Sequence, residues 1–141
     1  MHTNEGHDRV LGGYDGLLGA SAELYAGGRP LTDPLLSTVY GELNSLLPPT
    51  LLVSGTRDLF LSDIVRFHRK LIAAHAIAEL HLFEGLSHAE HVQEPHLAEA
   101  DDVYECLAKF ASYHLHSTCN NTHPTSPRIL NVTSGMFHAK L

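Results

Sequence analysis

Apolar positions in this chain change period along its length. Between Thr50 and Ser54 they form a continuous run, Leu51-Leu52-Val53, bounded by Pro48-Pro49 before and Gly55-Thr56-Arg57-Asp58 after. A short unbroken apolar run with turn residues on both sides predicts a buried strand, of the kind found in parallel sheets covered on both faces. From Ser62 the period becomes helical. Ile64, Val65, His68, Leu71 and Ile72 make an inward stripe, while Arg66, Arg69 and Lys70 are placed toward water. Ser62 is the expected N-cap, with Asp63 favourable in the first turn. Ala78 to Phe83 predicts a second strand, closed by Gly85-Leu86-Ser87-His88.

Flanking these elements, Asp15 to Tyr25 carries Leu17, Leu18, Ser21, Leu24 and Tyr25 at helical spacing, with Asp15 as N-cap and Gly27-Gly28 as the stop. Residues 29–49 contain four prolines and predict a loop. Pro95 is expected to start a long last helix to about Leu115, with Leu97, Ala100, Tyr104, Leu107, Ala111 and Leu115 as its stripe and Tyr104 and Phe110 in core contacts. The expected organisation is a disordered lead-in over 1–13, a folded portion over 14–116, and a disordered tail over 117–141 rich in Ser, Thr, Asn, His and Pro.

Strand, helix and strand in succession imply a right-handed crossover and a parallel pair. Neighbouring strands lie about 5 Å apart. Asp58 follows the first strand and His88 the second, so both arrive at the same end of the sheet with the carboxylate in reach of the imidazole. That is the acid and base of an acid–base–nucleophile triad. For α/β-hydrolases the chain order is nucleophile, acid, histidine. Upstream of Asp58 the sequence contains no Gly-x-Ser-x-Gly; the nearest string, Gly19-Ala20-Ser21-Ala22-Glu23, lacks the final glycine and lies in a helical pattern. No His-Gly-Gly oxyanion sequence is present either.

Three segments, Asp33-Pro34-Leu35-Leu36-Ser37, Pro48 to Asp58, and Phe83-Glu84-Gly85-Leu86-Ser87-His88, together resemble the C-terminal part of the hormone-sensitive-lipase-like group of α/β-hydrolases, especially bacterial esterases and ε-lactone hydrolases. The resemblance runs over about Val10 to Leu115. It implies an α/β fold of parallel strands flanked by helices, with Asp58 as triad acid and His88 as triad base. It implies carboxylic-ester or lactone substrates, and a nucleophilic serine and oxyanion hole in an N-terminal half not represented in these motifs. It also implies self-association through residues 78–83 and 97–115. Three positions depart from the group's pattern. Ser37-Thr38-Val39-Tyr40 replaces Ser-Pro-x-Tyr, Leu86-Ser87-His88-Ala89 varies Met-Pro-His, and His75-Ala76 replaces Ala-Gly. At the last of these a glycine would take the left-handed conformation more easily than histidine.

Composition narrows the choice. A length of 141 residues allows one domain at most, whereas an open hydrolase sheet needs on the order of 200 or more. A net charge of −7 argues against nucleic acid or anionic membrane as partner. No apolar run has the length of a membrane span, and the polar first residues do not read as a signal peptide, so a cytoplasmic setting is expected. Cys106 and Cys119 give no disulfide framework. His88 with His91 lacks further ligands at metal spacing, and His114, His116, Cys119 and His123 fit no zinc pattern, so no metal or cofactor is expected. Leu59 and Phe60, directly after Asp58, are candidates to border an acyl pocket. Three functions follow: an ester or lactone hydrolase part that is inactive alone, a non-catalytic association module using unpaired sheet edges, or a truncated, decaying gene product.

Overall fold

The computed structural model describes residues 4–119, with side chains to residue 116. Of the expected disordered tail over 117–141, residues 117–119 are instead helical, and the rest lies outside the described residues. The elements are α1 (Leu17–Ala26), a 3-10 turn (Thr38–Tyr40), β1 (Thr50–Gly55), α2 (Leu61–Ala73), β2 (Ala78–Phe83), α3 (Glu90–Gln93) and α4 (Ala98–Cys119). Both strands pair in parallel, in one register from Thr50↔Ala78 to Gly55↔Phe83. The strand-helix-strand reading therefore holds in detail.

Alternation along the strands separates the two helical layers. Leu52 borders a cavity shared with Ile64 and Phe67 of α2, whereas His81, paired with Val53, reaches Cys106 of α4. The largest fully buried side chains among the described residues are Leu59, Leu71, Val103 and Ser87. They come from the β1–α2 junction, α2, α4 and the loop after β2. Leu71, near the last turn of α2, packs toward the far end of the sheet, where its carbonyl accepts the N–H of Ala76 (3.0 Å), whereas Leu59 and Ser87 lie at the end where Asp58 and His88 emerge. Gly55 is required there by close approach: a Cβ on it would overlap the backbone carbonyl of Leu86 and lie 2.7 Å from the Leu86 side chain.

Several expectations are corrected. Residues 4–13 are turns packed on the sheet's end, and Asp8 among them is buried; side chain–backbone bonds hold this segment without any periodic pattern. α1 begins after Gly16, not at Asp15, without a side-chain cap, and its Leu17, Leu24 and Tyr25 are exposed. α1 stops at Gly27-Gly28 as expected, with Gly27 in the left-handed conformation. α2 starts at Leu61 with Phe60 at the N-cap position, so Ser62 lies inside the helix. Lys70 does not simply face water: its ammonium donates to the carbonyls of Val39 (2.9 Å) and Gly41, pinning the 3-10 turn to α2. Ile72 is exposed. His75 takes φ 57, the left-handed conformation assigned to that position.

Pro95 lies in a turn, and α4 begins three residues later. Its packed stripe is Ala100, Val103, Cys106, Phe110 and His114, rotated from the expected one. Tyr104, Leu107 and Leu115 are exposed. Tyr104 rests edge-on against His91 at 5.9 Å, and Phe110 lies 4.4 Å from the His114 ring. An apolar face assigned from periodicity alone presumes a partner for every apolar position; in α4 the buried positions are Ala100 and Val103.

Candidate active site

β1 and β2 end in register, and the two loops that leave them are stitched together. Thr56 N–H donates to Phe83 O (3.0 Å), Arg57 N–H to Leu86 O (3.0 Å), and Gly85 N–H to Thr56 Oγ1 (2.8 Å). These bonds fix Asp58 against His88. His88 Nδ1 lies 3.2 Å from Asp58 Oδ1. A carboxylate can only accept, so this contact places the imidazole proton on Nδ1 and leaves Nε2 able to take a proton.

The two partners differ in exposure, and the difference suits their chemistry. The Asp58 side chain is 3% exposed and the His88 side chain 38%. Two further donors reach the Asp58 carboxylate, Ser54 Oγ to Oδ2 (2.9 Å) and Phe60 N–H to Oδ1 (2.9 Å), while Asn4 Nδ2 (3.0 Å) and Leu61 N–H (3.1 Å) donate to its backbone carbonyl. A buried carboxylate needs such donors, since an unpaired one is costly. His88 presents its ring outward, where the Phe60 ring meets it edge-on at a centroid distance of 5.3 Å. Ala89, next in the chain, has φ 48.

Around this pair lies a second set of charged groups. Ser87 N–H donates to Glu90 Oε2 (2.7 Å), and Glu90 Oε1 pairs with Arg9 (2.5 Å). Burial pushes the Glu90 pKa up, but the Ser87 N–H and Arg9 outweigh it and hold the carboxyl below its ordinary value. His91 is shifted down by burial and by the charge of His88. No group of three or more His, Cys, Asp or Glu among the described residues could hold a metal ion.

A small cavity of about 90 Å³ is lined by Ser54, Asp58, Ser87, His88 and His91 among others. A larger one of about 540 Å³ lies between α1, the 3-10 turn and α2, bordered by Tyr14, Tyr25, Leu36, Val39, Phe60 and Phe67. Phe60 thus stands between the larger cavity and the imidazole. Leu59 is fully buried and offers no surface to a ligand, so of the two candidates only Phe60 borders a cavity. Ser21 sits in α1 with its hydroxyl donated to Leu17 O (2.7 Å), not at a strand-to-helix elbow.

Sequence reasoning missed Ser54, Asn4, Asp8, Arg9 and Glu90. Ser54 carried one signal, a hydroxyl ending an apolar strand four residues before an aspartate. Glu90 also carried a local signal, the Ser87-x-x-Glu90 spacing of a capping box. The contacts of Asn4, Asp8 and Arg9 with the two loops span 51 to 81 residues of chain and leave no local mark.

Parallel strands with an acid after one and a histidine after the next define a class, and comparison places the chain within it. Residues 5–92 match the family model described as alpha/beta hydrolase fold. Among solved structures, esterase E25 is 43% identical, with a TM-score of 0.75, over 79% of this chain and 34% of that one. A hormone-sensitive lipase from a metagenome library is 28% identical, with a TM-score of 0.72, over 79% of this chain and 38% of that one. The hormone-sensitive-lipase homologue EstE7, also from a metagenome library, is 29% identical, with a TM-score of 0.64, over 69% of this chain and 33% of that one. No curated protein matches. The chain belongs to the α/β-hydrolase family, in its hormone-sensitive-lipase-like group, and spans about a third of the length of these relatives. No helix among the described residues is long and apolar enough to cross a membrane.

Proposed function

We propose that this chain carries the acid and the base of a carboxylic-ester or lactone hydrolase, as the C-terminal portion of its domain, over about 14–116 together with the turns before it. Asp58 orients His88. His88 Nε2 takes the proton of a nucleophilic hydroxyl during acylation and returns it to the leaving group. The observation that carries this reading is the 3.2 Å contact between His88 Nδ1 and Asp58 Oδ1 at the common end of two parallel strands. The acyl group of the substrate extends past Phe60 into the 540 Å³ cavity.

By itself the chain is incompetent. Its sequence has no nucleophile elbow, and without that group and an oxyanion hole the covalent route is closed. The assay is release of p-nitrophenol from a short-chain ester by the purified chain. The expected rate is that of buffer with an equal concentration of free imidazole. Robust turnover that disappears in His88→Ala would refute incompetence while leaving the acid–base assignment intact.

A second reading is supported by the exposed face of α4. Tyr104, Leu107 and Leu115 are 47%, 39% and 68% exposed, and Leu82 of β2 is 47% exposed. Self-association through residues 78–83 and 97–115 covers these side chains. Light scattering coupled to size-exclusion chromatography decides it, since a monomer at high concentration argues against this surface.

A further inference from the structure

Asp8 is 3% exposed and accepts four backbone N–H groups. Its Oδ1 takes those of Val10 and Leu11, both at 2.8 Å, which closes the turn it sits in. Its Oδ2 takes the N–H of Leu59 at 2.8 Å and that of His88 at 3.0 Å. Leu59 directly follows Asp58. One oxygen atom therefore ties the amide next to the acid to the amide of the base itself, across 51 and 80 residues of chain.

Neighbouring residues reinforce the clamp on both sides. Asn4 Nδ2 donates to Thr56 O (2.9 Å) and Asp58 O (3.0 Å) on the acid loop. Arg9 N–H donates to Ser87 Oγ (2.9 Å) on the histidine loop, and its guanidinium pairs with Glu90. Strand pairing ends at Gly55↔Phe83, before either functional side chain. Beyond that point the spacing of the two loops depends on such cross-bonds, and Asp8 supplies the pair nearest the acid–base contact. Burial raises the pKa of Asp8, but the N–H groups of Leu11, Leu59, Val10 and His88 more than offset it, so the carboxyl is held below its ordinary value.

Resting on the hydrolase reading above, we propose that Asp8 is a positioning residue for the Asp58–His88 pair: its Oδ2 sets the separation of the two loops at which imidazole Nδ1 meets the acid. It touches no reacting atom. Asp8→Asn keeps the volume but turns one acceptor oxygen into an NH2 group, which then faces N–H donors.

The test is the tautomer of neutral His88, read from its ring nitrogen shifts by proton–nitrogen correlation spectroscopy on the full chain near pH 8. The hydrogen bond made by one ring nitrogen selects the proton's position. In the unaltered chain His88 is expected as the Nδ1–H form, and Asp58→Asn supplies the released reference. Asp8→Asn is expected to lower the Nδ1–H to Nε2–H ratio about tenfold, the scale of one lost hydrogen bond to a charged group. Val103→Ala, a destabilising change in α4, is expected to leave the ratio unchanged, which separates positioning from stability.

A folded Asp8→Asn chain with the unaltered ratio overturns the proposal while leaving the hydrolase reading intact. An Nε2–H form in the unaltered chain overturns the acid–base pair and the clamp with it. If Asp8→Asn does not fold, the amide protons of Leu59 and His88 in the unaltered chain serve instead. Both are expected to follow one common titration below the ordinary carboxylate range, and separate or absent titrations overturn the clamp.

Discussion

Replacing Gly55 by alanine tests how the sheet's end is built. The new Cβ meets the carbonyl of Leu86, which already accepts the N–H of Arg57 at 3.0 Å, and lies 2.7 Å from the Leu86 side chain. Both sides of the clash are near or on backbone, so no flexible side-chain tip can yield. Gly55 is not among the residues with left-handed φ, so the penalty is steric alone. Separating the two loops loses the Arg57–Leu86 hydrogen bond, about 1 kcal/mol. The overpacking strain adds about 1–3 kcal/mol. The expected total is about 2–4 kcal/mol, a large share of the stability of a small domain, typically about 5–15 kcal/mol. Urea unfolding followed by far-ultraviolet circular dichroism measures it by linear extrapolation. Gly28→Ala is the control: it has φ 83 with open space around it, so it pays conformational strain of about 1–2 kcal/mol without a clash. A Gly55→Ala chain within about 0.5 kcal/mol of the original would refute the close-approach argument.

Other predictions use the same structure. His75→Gly relieves the left-handed φ of 57 and is expected to stabilise the chain by about 0.5–1 kcal/mol, seen as a Tm higher by about 2–5 °C. Lys70→Met removes the donor to Val39 and Gly41 and is expected to cost about 1–2 kcal/mol, with faster amide exchange confined to residues 38–41. Asp8 and Glu90 both have lowered folded pKa values, so each contributes stability that is present above its ordinary pKa and lost as pH falls through the lowered one. Thermal unfolding is therefore expected to show falling Tm below about pH 4, with a shallower decline in Asp8→Asn; a steeper decline in that variant would contradict the sign.

Much of the site was legible because its logic is topological. Leu51-Leu52-Val53 and Ala78 to Phe83 read as strands, a helix between them made the pair parallel, and Asp58 and His88 then had to meet. What escaped reading depends on contacts that periodicity cannot encode. Asp8 lies in a polar, glycine-containing stretch that looks disordered; it closes its own turn and is tied down by two N–H groups far along the chain. Lys70 occupies a position that reads as solvent-facing, yet loop carbonyls surround its ammonium. The rotated face of α4 shows the same limit: both Val103 and Tyr104 suit burial, and only the shape of the sheet selects Val103.

The central claim is that Asp58 and His88 can serve as acid and base once a nucleophile is supplied. Joining this chain to the part of esterase E25 that it does not cover, and measuring hydrolysis of p-nitrophenyl butyrate, tests this most directly. The account predicts an active chimera whose kcat falls about 10⁴-fold or more in His88→Ala and about 10⁴-fold in Asp58→Asn. A cooperatively folded chimera that is inactive, or whose rate is indifferent to His88→Ala, would contradict it.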